Sequence, residues 1–92
     1  MGKRRLIEIK KALDKRLESI FNPVTINGER CFLTGDGRVF LLTVLTWADS
    51  IVVEFADSID EARNNMFEDG SLFDCGVPEH ELYASILSEI AA

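Results

Sequence analysis

The run Val39–Leu45 constrains the fold most. Val39, Leu41 and Leu45 fall on one alternate set of positions, and Phe40, Leu42 and Val44 on the other. Drawn out as a strand, such a segment is apolar on both sides and has to be covered on both. Its surroundings also read as extended. The dipeptides Asn27-Gly28 and Asp36-Gly37 separate β-rich runs and predict tight hairpins, because type I′ turns need positive φ at both central residues. The strands expected are a short one at Val24–Ile26, then Arg30–Thr34, Arg38–Thr46 and Ile51–Ala56, with a third turn over Trp47–Ser50. This makes a three- to four-stranded antiparallel meander.

Helical periodicity brackets the meander. Leu6, Ile9, Leu13, Leu17 and Ile20 step by three and four, which lines them along one side of a helix. Arg4, Lys11 and Lys15 fall on the opposite side, and Asn22-Pro23 ends the segment. Ser58-Ile59-Asp60-Glu61 fits a capping box, with the serine hydroxyl on the third amide and Glu61 reaching back to the serine N–H. The helix it opens is expected to run through Met66 and Phe67 to a stop at Gly70, with an irregular loop over Ser71–Val77. Pro78, Glu79 and Glu81 then open a last helix that turns Leu82, Ile86 and Ile90 inward. The expectation is one α+β domain over residues 1–92, with an N-terminal helix, the meander and two C-terminal helices. The two-sided strand is covered either by these helices or, on its Phe40, Leu42 and Val44 face, by a second copy in a homodimer.

Charge is divided along the chain. Seven of the ten basic residues lie between Lys3 and Arg16, so that segment carries about +5 and the remainder about −11. The 47% apolar and 28% charged fractions are those of a globular chain. No apolar run approaches the roughly 20 residues of a membrane helix, and the basic N-terminus lacks the continuous apolar core of a secretory signal. A cytoplasmic protein without membrane contact is expected. Cys31 and Cys75 have no metal-ligand spacing and read as small buried hydrophobes.

No catalytic, cofactor or metal motif is present. His80 is the only histidine and lies between Glu79 and Glu81 at a helix start; Gly35-Asp36-Gly37 lacks the lysine and helix of a phosphate loop and reads as a hairpin turn. The acidic residues from Asp57 to Glu81 do not follow the ligand spacing of a calcium loop. Within them, Glu68, Asp69 and Asp74 surround Leu72 and Phe73, an apolar centre with an acidic rim. These five residues are the candidate partner-binding set of a small acidic interaction or inhibitor-like module, whose partner is another protein of basic character. Two alternatives belong to other classes. One is a ligand-binding or catalytic pocket near Trp47 and His80, although Trp47 itself reads as core. The other is nucleic-acid binding through Arg4, Lys11 and Lys15, which the net charge of −6 and the absence of interleaved aromatics disfavour.

Overall fold

The computed structural model describes residues 2–91. It is an α+β fold in the order α1 (Lys3–Leu17), β1 (Asn22–Ile26), β2 (Glu29–Leu33), β3 (Val39–Leu45), β4 (Ser50–Ala56), α2 (Ile59–Arg63), β5 (Glu68–Asp74) and α3 (Glu79–Ala91). The five strands form one antiparallel sheet in sequence order. β3 is central, and both of its faces are covered within the chain. Phe40 and Leu42 join Phe32, Ile51 and Val53 beneath Leu6, Leu13 and Leu17 of α1 and Leu82, Ile86 and Ile90 of α3. On the opposite face Val39 and Leu41 join Ile26, Cys31 and Ala56 beneath Ala62 of α2. A homodimer on the Phe40, Leu42 and Val44 face therefore loses its motive, because helices already occupy that face.

The turns differ in kind. Asn27 and Gly28 both take positive φ, 52° and 80°, as a two-residue type I′ hairpin requires. At the second hairpin only Gly37 is left-handed, and Thr34 N–H reaches the Arg38 carbonyl at 2.9 Å, closing a three-residue loop rather than the expected type I′ turn. The third turn is a 3-10 segment, Thr46–Ala48, followed by Asp49 at φ 48°.

Three element boundaries depart from expectation. α1 stops at Leu17, so Ile20 is exposed rather than inward, and Pro23 lies inside β1, an edge strand where its missing N–H costs no ladder bond. α2 lasts only five residues, because Asn65 adopts φ 56° and breaks it before Met66. Ser58 does accept the Glu61 N–H at 3.2 Å, but the Glu61 carboxylate takes the Asp57 N–H at 3.1 Å instead of that of Ser58. Finally, the segment expected to hold a helix end and a loop is the fifth strand. Glu68–Asp74 pairs with β4, so the sheet has five strands, and the second helix lies before its last strand.

α1 rests on the sheet with its basic side outward; Arg4, Lys11 and Lys15 are exposed. Arg16 ties it to α3 by stacking 4.3 Å above the Tyr83 ring and approaching Glu79 at 3.3 Å.

Candidate interaction surface

β5 is the edge strand, and its register decides which of its side chains share a face. Leu72 lies opposite Val52 and Phe73 opposite Ile51, whereas Asp69 lies opposite Glu54. Gly70 and Ser71 together oppose Val53, which is a β-bulge. Strict alternation without a bulge would put Asp69 and Leu72, three residues apart, on opposite sides of the sheet. With it, Asp69, Leu72 and Asp74 turn to the same side, away from α1 and α3.

Two contacts fix the bulge. Glu89 of α3 accepts the Ser71 N–H at 3.0 Å and the Ser71 hydroxyl at 3.3 Å. Gly70 lies against the Val53 carbonyl, where a side chain has no room. Sequence reading treated this glycine as a helix stop; its role is to let the chain approach β4 closely at the point where the register shifts.

The structure therefore divides the five candidate residues. Asp69, Leu72 and Asp74 are together. Phe73 packs into the core with Ile51 and Val44, so it is not available as an anchor. Glu68, paired with Phe55, lies on the α1–α3 side at the mouth of a cleft of about 320 Å3 that Asp57, Glu61, Met66 and Phe67 also line.

Cross-strand register extends the surface past β5. Thr43, Val52 and Leu72 form one row, Leu45, Ser50 and Asp74 the next, and Leu41, Glu54 and Asp69 a third. α2 covers the end of this face where Val39 of β3 pairs with Ala56 of β4. In the remainder Leu41, Val52 and Ser50 are buried, and the exposed positions lie on β5. Leu72 is 54% exposed, Leu45 is half-buried, and the carboxylates of Glu54, Asp69 and Asp74 edge them. Glu54 accepts the Thr43 hydroxyl across the strands, which holds its charge on this face. Trp47, expected in the core, instead sits in the turn next to Leu45 and is 80% exposed. Sequence reading missed Glu54, Leu45 and Trp47 as part of this surface; the alternation of β4 hinted at it, since Val52 and Glu54 share a side.

The other candidates do not converge with this set. His80 is exposed in the first turn of α3, and neither it nor Trp47 lines the 320 Å3 cleft or the larger groove beside β3. Cys31 and Cys75 are free and buried, one on each face of the sheet, and burial raises the pKa of both thiols. Among the described residues no three His, Cys, Asp or Glu side chains are placed to hold a metal ion. No helix among them is long and apolar enough to cross a membrane. The chain matches no model of a known protein family, no curated protein and no solved structure.

Proposed function

We propose that this chain is a non-catalytic interaction module, inhibitor-like in kind, that binds a basic protein through the β5 edge of its sheet, at Leu72 and the carboxylates beside it. The observation that carries this reading is the bulge in β5. It places Asp69, three residues from Leu72, on the same side as Leu72 and Asp74. An apolar strip within an acidic rim is the usual build of a surface that anchors through one exposed side chain and steers through charge. Leu72 is the anchor, and Glu54, Asp69 and Asp74 supply the field. Its place of action is the cytoplasm, in keeping with two buried thiols that stay unpaired.

A second copy of the chain suits the strip poorly. A two-fold dimer sets each patch against itself, and here that brings Asp69 and Asp74 toward their own counterparts. A basic partner meets no such repulsion.

The test is affinity capture of the tagged chain's partners from its host's lysate, with elution by rising salt and identification by mass spectrometry. A basic protein should be retained and released at moderate salt. The combined substitutions Asp69→Asn, Leu72→Ser and Asp74→Asn should abolish its capture, while Glu68→Gln, on the other side of the sheet, should leave it intact. Retention that survives the triple variant refutes the assignment.

A further inference from the structure

The sheet ends at β1 on one side and at β5 on the other, and backbone parity decides what each edge can offer. In an antiparallel ladder, pairs that exchange both backbone bonds alternate with pairs that exchange none, and the latter turn their N–H and C=O away from each other. Cys75 N–H reaches the Asp49 carbonyl at 3.0 Å, one step beyond the Ser50–Asp74 pair. Phe73 therefore bonds to Ile51, while Leu72 and Asp74 present their backbone groups outward. The Thr34 N–H bond to the Arg38 carbonyl, carried through β3, gives the same phase. At the other edge the two-residue turn at Asn27-Gly28 makes Ile26–Glu29 a bonded pair, so Pro23 and Thr25 face outward, and Pro23 has no N–H to donate. Of the two edges, β5 is the one whose successive outward residues both carry a donor and an acceptor.

No other element closes this edge. Leu72 is 54% exposed and Asp74 is exposed, and among the described residues no group outside the sheet hydrogen-bonds to the backbone of either. The open stretch has definite ends. Glu89 takes the Ser71 N–H on one side, and Asp74 Oδ1 takes the Gly76 N–H at 2.8 Å on the other. β5 carries Glu68, Asp69 and Asp74 and no cation, and none of these carboxylates has an ion pair among the described residues. An uncovered edge invites pairing, and charge is a usual guard against it. Here the guard has one sign: a second β5 laid alongside would set acid beside acid, whereas a cationic strand meets its complement.

We propose that β5 accepts an extended basic segment of the partner protein as a sixth strand, bonded through the backbone of Leu72 and Asp74, with an apolar side chain beside Leu72 and a lysine or arginine beside Asp74. The two outward residues lie about 7 Å apart, the spacing at which a neighbouring strand presents its own bonding groups. Their side chains share one side of the sheet, so the residues that pair with them, two apart in the partner, fall on that side as well. A second cation reaches Asp69 across the bulge. The ladder supplies affinity whatever the partner's sequence, and the apolar and basic positions supply selectivity. This inference rests on the interaction reading for the site and specifies the conformation of what binds there.

The experiment selects nine-residue peptides from a random display library on the full chain, then measures their affinity and their effect on amide hydrogen exchange. Selected peptides should share an apolar and a basic residue two positions apart. They should slow exchange at the Leu72 and Asp74 amides and lose about tenfold in affinity against Asp69→Asn/Asp74→Asn. N-methylation of alternate peptide amides should remove binding in one register and spare it in the other; this arm needs no variant of the chain and no assumption about its folding. Failure to enrich any peptide, indifference to N-methylation in both registers, or protection elsewhere on the chain overturns the proposal. If capture of the lysate protein depends on Leu72, Asp69 and Asp74 while peptides show no register effect, the interaction reading stands and strand addition falls. If peptides protect Leu72 and Asp74 in one register while the triple variant still captures its protein, strand addition stands and the reading of those side chains as the partner's anchor falls.

Discussion

A Cβ atom added at Gly70 would lie 2.6 Å from Glu89 Oε1 and 2.9 Å from the Val53 carbonyl oxygen. The first neighbour can swing away, but the second is backbone in the adjacent strand. Gly70→Ala should therefore destabilise the fold by about 1–3 kcal/mol, the usual range for forcing a methyl into a filled site. Urea unfolding checks it, and an unchanged midpoint would mean that the bulge has slack. A second prediction concerns Asp14, which faces inward on the flank of α1 with Lys10 as its partner. Its Oδ1 is buried without a hydrogen bond, and burial raises its pKa above 3.8 despite Lys10. The folded chain thus holds this proton more tightly than the unfolded chain does. The sign follows: in the window between 3.8 and the raised value, Asp14 makes stability increase as pH falls. Asp14→Asn should flatten that segment of the pH–stability curve. Lys10→Met, which strands the carboxylate, should cost about 1–3 kcal/mol at neutral pH and less once acid protonates Asp14. Both are read by urea unfolding across pH.

At the scale of elements, α2 has only five residues and depends on its ends. Ser58 caps the start, and the Asn27 amide donates to the Arg63 carbonyl at 3.0 Å and to Asn65 Oδ1 at 3.2 Å, clamping the far end to the β1–β2 turn. Ser58→Ala should cost about 1 kcal/mol. It should also expose the Cys31 side of the sheet, which α2 shields, so labelling of the Cys31 thiol should speed up while that of Cys75 does not. Equal rates for the two cysteines would show that α2 is not the local cover. These elements also show what the sequence could disclose. α1, α3, the Asn27-Gly28 hairpin and the two-sided β3 were legible because each is written in local periodicity or turn chemistry. β5 was not. Its pattern, with apolar residues only at Leu72 and Phe73, has no period of two, because the bulge breaks the alternation and the strand is half bare. The sequence predicts a helix through Phe67 because Asn65, which stops it, gives no local signal apart from its φ of 56°. The candidate set was found by composition alone, and only the register could show that Phe73 and Glu68 belong to the other side. Trp47 was misplaced for a similar reason: it follows an apolar strand in sequence, but a 3-10 turn carries it out into solvent.

Across the whole molecule, charge and layers coincide. The exposed face of α1 is basic, while the β5 edge is acidic, so the division seen along the sequence becomes a division through space. The surface of 5470 Å2 is close to the roughly 5,400 Å2 that a self-standing monomer of 10.3 kDa exposes. At a net charge of −6, copies repel one another, and a closed two-fold contact through Leu72 would add the local repulsion of paired acidic rims. The chain should therefore sediment as one species of monomer mass at about 0.15 M salt, where the Debye length is about 8 Å and repulsion between adjacent rims is weakened but still present. Raising the salt to about 1 M shortens that length to about 3 Å. Any self-association through the β5 edge should appear there, and Leu72→Ser should remove it. A dimer already present at the lower salt would mean that apolar contact at Leu72 outweighs the acidic rim, and the surface would then belong to the chain's own copy rather than to a basic partner.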